Sequence, residues 1–317
     1  MSLWRLALSS LQRNIPVLLL YVVESKGSSP GRQGFFMMVN GEGETEGSIG
    51  GGIMEHKFLE MARELLRQGA PVLSVRRQVH DKEVTKDQSG MICSGEQTIL
   101  LYTLRVGDVA VLDLLLESLE ANGNGCLRLS PEGMGFSAVA PEADRYFEKR
   151  SEDDWVYLEK TGYVDQLFII GGGHCALALS RIAQTMDFYI TLFDDRRGLE
   201  SVVRNAYVHE KILVGDYAEL GGLVLPGSHS YVVVMTQGYR TDDRAVRVLL
   251  PMEFRYFGLL GSKAKIGKMM ADYRSEGIKE EWLGRMRAPA GLSIQSQTPE
   301  EIAVSIMAEV IQARHSG

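Results

Sequence analysis

Cys93 stands in "GMICSGE", Gly90 to Glu96, flanked by glycines in a polar loop. A thiol so placed is accessible, and its thiolate is a soft ligand suited to sulfur chemistry or to a heavy transition metal. A free cysteine can equally be a small buried hydrophobe, which is the reading for Cys126 and Cys175. Anion binding is the second chemistry on offer. In "IIGGGHCALALSRIA", Gly171, Gly173 and Ala176 fit G-x-G-x-x-A directly after an apolar strand and before an amphipathic helix, with Gly172 between them. Glycine lets the backbone turn tightly and approach a diphosphate, while a helix N-terminus offers unpaired N–H groups and partial positive charge. Asp194 and Asp195 close the next strand, at the spacing where an acid accepts hydrogen bonds from a ribose in a nicotinamide dinucleotide site. His174 either touches a ligand or bonds to the nearby backbone.

Other segments offer related chemistry. "GSIGGG" places Gly50, Gly51 and Gly52 before another helix, where a row of backbone N–H groups could bind an anion or the turn could serve tight packing alone. Upstream, "GSSPGRQG" adds Ser28, Ser29 and Arg32, and an arginine beside such a loop favours an acidic group. "GLLGSKAK" sets Gly261, Ser262 and Lys263 at a strand-to-helix junction, with Lys265 and Lys268 either nearby cations or a solvated helix face. "MTQGYRTDDRA" puts Gln237, Tyr239 and Asp242 past the carboxyl end of a strand, where open parallel sheets bind ligands. No Ser-His-Asp order, paired-histidine zinc spacing or Walker lysine is present.

The elements that must position these residues fall into two sets. Ile15 to Val23 and Phe35 to Val39 read as strands, "GEGETEG" as a turn, and 53–68 as a helix ended by Gly69 and Pro71. Strands at 72–79 and 97–104, a helix at 109–121 and short strands near 126–129 and 136–140 complete a mixed α/β domain over 1–145. Residues 146–162 are dense in charge and read as a linker. From 163 to 317, strand-like runs alternate with helical ones, the signature of a doubly wound parallel sheet of Rossmann type. "TPEE" opens the last helix with a capping box, ahead of a stripe of Ala303, Ile306, Met307, Val310 and Ile311.

Composition narrows the function classes. Of 317 residues, 45% are apolar and 24% charged, as in globular proteins. A net charge of −7 from 34 basic and 41 acidic residues argues against a general nucleic-acid binder. Apolar runs are strand-sized, so no membrane span is expected. Three cysteines at wide spacings resemble neither a disulfide framework nor a zinc site, and fit a reducing cytoplasm.

Taken together, "GSSPGRQGFFMMV", "GSIGGGIMEHKFLEMAREL", "GMICSGE", "IIGGGHCALALSRIA", "FDDR", "VVVMTQGYRTDDRAVRVLL", "YFGLLGSKAKI" and "APAGLSIQSQTPEEIAVSIMAEVI" resemble, in order and spacing, the XdhC/CoxI family of xanthine dehydrogenase accessory factors. The resemblance implies a family-specific amino-terminal domain and a carboxy-terminal Rossmann domain. It further implies binding of the molybdenum cofactor (molybdopterin with its metal), protection during sulfuration with a cysteine desulfurase, and insertion into a molybdenum hydroxylase. On this reading Cys93 contacts molybdenum or relays sulfur, the glycine loops hold the cofactor phosphate, and the chain self-associates. The sequence departs from the family pattern at Ser94, at Gly31 where an arginine is usual, and at Gln237 and Tyr239 where histidines are usual. An NAD(P)-dependent oxidoreductase and an interaction protein with vestigial pockets are the competing readings.

Overall fold

A computed structural model of the chain describes residues 1–69, 71–79 and 95–316. The chain divides into two compact units, Met1–Gly162 and Tyr163–Gly317.

The first unit opens with α1 (Ser2–Gln12), followed by β1 (Val17–Gly27), β2 (Phe36–Asn40), β3 (Thr45–Gly47), α2 (Gly52–Gln68), β4 (Leu73–Val79) and β5 (Gly95–Thr103). These strands form an antiparallel sheet ordered β3-β2-β1-β5-β4. β1 is apolar throughout its first half because both of its faces are covered. Leu18, Leu20 and Val22 pack with Met54, Phe58 and Ala62 of α2. Val17, Leu19, Tyr21 and Val23 pack on the other side with Leu3, Trp4 and Ala7 of α1. Helix α1 went unread in the sequence, although Leu3, Trp4, Ala7 and Ser10 recur at helical spacing and are buried. The turn expected over "GEGETEG" is shorter than its seven residues. The Asn40 side-chain oxygen accepts from the N–H groups of Glu42 and Glu44, closing the turn early enough for Thr45 to Gly47 to pair with β2.

Next come α3 (Asp108–Glu120), β6 (Gly125–Ser130), β7 (Gly133–Ser137), β8 (Arg145–Lys149) and β9 (Trp155–Thr161), the strands making a second antiparallel sheet ordered β7-β6-β9-β8. The linker expected at 146–162 is therefore two strands. Its charge is that of a half-solvated sheet: Trp155, Tyr157 and Glu159 turn inward at period two, while Val156, Leu158 and Lys160 are partly exposed. Within this unit the buried Glu159 carboxylate accepts from the hydroxyls of Tyr21 and Tyr157, the latter at 3.1 Å, and from Arg145 Nε at 3.0 Å. Burial pushes its carboxyl above the usual range, partly offset by Arg145 and the two phenols.

The second unit contains β10 (Asp165–Ile170), α4 (His174–Ala183), β11 (Phe188–Asp194), α5 (Glu200–Val203), β12 (Glu210–Leu213), α6 (Leu220–Leu223), β13 (Gly227–Val234), α7 (Tyr239–Leu249), β14 (Phe254–Leu259), α8 (Lys263–Ser275), α9 (Glu280–Arg285) and α10 (Pro299–His315). All its strand pairs are parallel, in the order β12-β11-β10-β13-β14. The order reverses between β10 and β13, the point beyond which doubly wound sheets bind ligands. Phe168 and Ile170 face α7 and α8, while Leu167 and Ile169 face α4 and α10. Ala303, Ile306, Met307 and Val310 of the expected α10 stripe are buried, and Ile311 lies at its exposed edge. The expected capping box is present: Thr298 Oγ1 accepts from Glu301 N, and a Glu301 carboxylate oxygen accepts from Thr298 N, both at 3.2 Å.

Thr298→Ala removes one half of that box and is expected to cost about 1 kcal/mol of stability, read as a lower urea midpoint at unchanged slope.

Candidate functional site

The carboxyl ends of β10, β11, β13 and β14 bring the second-unit candidates onto one strip. Gly171 leaves β10 at φ 105°, and a Cβ there would lie 2.5 Å from the Met235 carbonyl oxygen beyond β13. A Cβ on Gly172 would meet a Val202 methyl at 2.1 Å. Gly173 differs: it precedes α4 with nothing within 4 Å of a Cβ, and no side chain caps the helix. The first-turn N–H groups of α4 thus begin at an open position, as phosphate recognition requires. His174 is exposed in that turn and, among the described residues, makes no hydrogen bond to the loop backbone. Cys175 is half-buried, its thiol raised by burial and then by Glu300.

Asp194 does something other than the sequence suggested. Its Oδ2 accepts from Gly172 N at 2.6 Å and from Arg196 Nη2 at 2.7 Å. Its Oδ1 accepts from Arg196 N at 2.8 Å and Arg196 Nε at 2.9 Å. A carboxylate has about four acceptor positions, and here the chain itself fills them. Burial alone would raise this carboxyl, but Arg196 first and then Gly172 hold it below the usual range. The side chain is 3% exposed. The expected ribose contact is thereby replaced by an internal clamp on the glycine loop and on Arg196.

Across the strip, Thr236 N and Oγ1 donate to Asp242 Oδ1 at 2.9 and 2.6 Å, and Lys265 Nζ pairs with Asp242 Oδ2 and donates to the Leu260 carbonyl at 2.9 Å. Asp242 is fully buried, so Lys265 belongs to this pair and not to a solvated helix face. The lysine folds over Gly261, where a Cβ would be 2.3 Å from Lys265 Cε. The Ser262 hydroxyl caps α8, accepting from Lys265 N at 3.2 Å, and its O–H donor stays at an exposed position. Gln237 is exposed beside this network, and the Tyr239 hydroxyl donates to Asp272.

In the first unit, Ser28 and Arg32 are exposed, and Arg32 Nη1 donates to the Gly27 carbonyl at 3.2 Å. Within "GSIGGG" two glycines serve packing: a Cβ on Gly47 would be 2.3 Å from the Phe36 carbonyl oxygen and one on Gly50 2.4 Å from Gly31 N, while one on Gly31 would be 2.1 Å from the Ile49 carbonyl oxygen; nothing lies within 4 Å of a Cβ on Gly51. The turn already holds an anion of its own. Glu55 Oε2 accepts from Ser48 Oγ at 2.6 Å, Ile49 N at 2.9 Å and Gly51 N at 3.0 Å. The expectation that Gly50 and Gly51 cradle a phosphate is corrected accordingly, since their N–H groups are bound to Ser48 Oγ at 3.1 Å and to Glu55 Oε2. Burial opposes ionisation of Glu55, yet Ser48 and the N–H groups of Gly51, Ile49 and Gly50 hold its carboxyl low. Neither Glu55 nor Arg196 was singled out in the sequence, though an acid four residues past Gly51 and the triplet Asp-Asp-Arg are both visible there. Cys93 and Ser94 lie outside the described residues. Among the described residues no cluster of His, Cys, Asp and Glu could hold a metal ion, and no helix is long and apolar enough to cross a membrane.

Gly171→Ala is expected to lose about 1–3 kcal/mol through backbone strain alone, whereas Gly173→Ala stays within about 0.5 kcal/mol, both read by chemical denaturation. Because the folded Glu55 carboxyl is held low, its stabilisation is fully present above the ordinary value of 4.5 and is lost as pH falls through the lower folded value. A stability–pH curve of Glu55→Gln should therefore lie below that of the parent at neutral pH and converge with it in acid.

Comparison with known proteins adds the family. Residues 10–77 match the model described as the XdhC and CoxI family, and residues 167–310 match the XdhC Rossmann domain, together more than half of the chain. The uncharacterized protein YqeB of Escherichia coli (strain K12) is 24% identical over 309 residues, covering 96% of this chain and 45% of that protein. A protein of Bacillus subtilis (strain 168) described as a probable xanthine dehydrogenase component is 34% identical over 86 residues, 27% of this chain and 24% of that protein. The chain thus spans less than half the length of the curated relatives it matches. A crystal structure described as a xanthine dehydrogenase from Bacillus halodurans superposes with a TM-score of 0.72, covering all of this chain and 96% of that one; at 23% identity this likeness concerns the fold. On its two domain matches, in the order and at the positions where the motifs stand, the chain belongs to the XdhC and CoxI family.

Proposed function

We propose that the chain is a maturation factor that binds the molybdenum cofactor, shields it, and passes it to a molybdenum hydroxylase of the xanthine dehydrogenase type, with a cysteine desulfurase as the sulfur source. Membership of the family supports the client class. The observation that carries the reading is the uncapped start of α4 at Gly173, open at the point where the sheet order reverses. A phosphate monoester or diester fits there on chemical grounds, since the N–H groups and dipole of a ten-residue helix favour negative charge. The molybdenum cofactor supplies a dithiolene-bound metal whose terminal sulfur the client enzyme needs. For its part, the chain would hold the phosphate on Gly173 and the first turn of α4, with Asp194 fixing the loop through Gly172. The first-unit turn adds no phosphate site while Glu55 fills it. Cys93 remains the candidate contact for molybdenum or for transferred sulfur.

The filled acceptor positions of Asp194 weigh against that acid as the ribose contact of a nicotinamide site, while the exposed Asp195, which accepts from the Tyr217 hydroxyl at 3.2 Å, keeps an acceptor at the same strand end. Arg196 and Arg197 at the end of β11 keep one form of it in view, because an arginine there can meet a ribose 2′-phosphate.

The full chain, expressed in a host that makes the cofactor, is expected to co-purify with molybdenum by elemental analysis. Gly173→Glu, which places an acid in the open position, should lose most of that metal while keeping the parent circular dichroism, and Cys93→Ser should lower metal retention or client activation. A metal-free parent that binds NADPH tightly and transfers hydride would overturn the proposal.

A further inference from the structure

At the amino end of β14, the opposite end of the parallel sheet from the glycine loop, lies a cavity of about 340 Å³ lined by Arg255, Arg287, Glu309, Gln312 and Ser316. Its size is that of a small-molecule site, and charges of both signs face it. Arg287 is carried on a stretch that runs parallel to β14: its N–H donates to the Phe257 carbonyl at 2.8 Å, and its carbonyl accepts from Leu259 N at 2.9 Å. With the backbone so fixed, the guanidinium is exposed and, among the described residues, makes no hydrogen bond or ion pair. Arg255 is held from behind. Its Nη2 donates to the Arg314 carbonyl at 3.2 Å and to the Ser316 carbonyl, gripping the end of α10, while the Tyr231 phenol takes a third contact. A guanidinium has five N–H donors, so at least two of these remain. Glu309 is divided between two tasks. Its Oε2 accepts from the Tyr256 hydroxyl and from Gly291 N, both at 2.7 Å, and its Oε1 has no donor among the described residues. Arg314, the third arginine of this corner, is already committed: its Nε lies 2.7 Å from the buried Asp165 carboxylate, and its Nη1 donates to the Met186 carbonyl at 3.2 Å.

Two arginines and one glutamate thus face a single space without neutralising one another. The cationic side offers flat forks that match carboxylates in pairs. The anionic side offers a carboxylate oxygen backed by the negative end of the α10 dipole, which favours a positively charged donor. A simple anion would satisfy the arginines and set like charge against Glu309. A simple amine would do the reverse. The ligand that leaves no group unpaired carries two acids and one ammonium, with one net negative charge to meet the one net positive charge of the lining. We propose that this cavity binds an acidic α-amino acid, with its carboxylates on Arg255 and Arg287 and its ammonium on Glu309 Oε1. The side-chain amide of Gln312, exposed at the rim, can donate to and accept from the same ligand. The site goes beyond the cofactor reading and is independent of it, since it shares no residue with the cradle at Gly173.

Calorimetric titration of the full chain, tagged at its amino terminus, with L-glutamate, L-aspartate, glutarate, succinate and glycine tests the assignment. One of the two acidic amino acids should bind at least about tenfold more tightly than the diacid of the same length and than glycine. Glu309→Gln keeps an oxygen for Tyr256 and Gly291 but removes the acceptor of the ammonium, and should bring the amino acid down to the level of its diacid. Arg287→Gln, at an exposed position, should weaken amino acid and diacid alike by about tenfold or more at an unchanged urea midpoint. Gly173→Glu, at the other end of the sheet, should leave both affinities as they are. Diacids that bind as tightly as the amino acids, no heat from any ligand at about 10 mM, amino acid binding that survives Arg287→Gln, or a preference that survives Glu309→Gln overturns the inference. If molybdenum co-purifies and no amino acid binds, the cofactor reading stands alone; amino acid binding without molybdenum has the opposite meaning.

Discussion

The Asp194 carboxylate is the constraint around which the second unit's ligand face is arranged. One oxygen grips the backbone of the glycine loop, both oxygens grip Arg196, and the residue is almost wholly buried while doing so. A buried charge is tolerable only when paired and hydrogen-bonded, and this one is held by a guanidinium fork and two backbone donors. The consequence runs outward in two directions. Gly172 is fixed against Val202 and Ser201, whose hydroxyl donates to the Gly172 carbonyl at 2.5 Å, and Arg196 is fixed against the neighbouring cavity lined by Val202, Ile212 and Leu213. At the end of β11 the Asp194 acceptor is thus turned inward and Arg196 is held beside it.

The two glycine-rich turns look alike as strings of letters and differ as chemistry. In the second unit the turn meets a helix whose start is open. In the first, an acid from the helix itself reaches back to the turn. Glycines at Gly31 and Gly50 let two loop backbones lie against each other, and Gln97 Nε2 ties them by donating to the carbonyls of Gly31 and Ile49 at 3.0 and 3.2 Å. A glycine run before a helix therefore indicates close backbone approach, and only the surrounding side chains decide whether the approaching party is a ligand.

The order of elements in the second unit was legible because parallel strands buried on both faces make unbroken apolar runs, as at Phe168 to Ile170 and Tyr231 to Val234. The "TPEE" cap was legible because a capping box is wholly local. The strands at 145–161 were hidden because their outer faces are charged, so that composition outweighed a period of two. The site residues were legible as positions, not as roles. Whether Asp194 faces a ribose or Gly172 depends on Arg196, two residues away in sequence, and whether Lys265 is solvated depends on Asp242 in another helix. Such partnerships are three-dimensional facts.

The buried Glu159 has one more implication, for how the first unit keeps its two sheets in alignment. Hydrocarbon contacts such as those of Leu127 and Leu19 are nearly interchangeable, and a neighbouring methyl can serve in place of the original. The phenols of Tyr21 and Tyr157 and the guanidinium of Arg145 have no such substitutes, because each must meet one acid at hydrogen-bonding distance. Slippage of β9 by a single residue would turn Glu159, and Tyr157 with it, to the opposite face and leave the Tyr21 hydroxyl and the Arg145 guanidinium without their acceptor. This cluster acts as a dowel between two otherwise greasy boards, fixing where they meet more than how tightly.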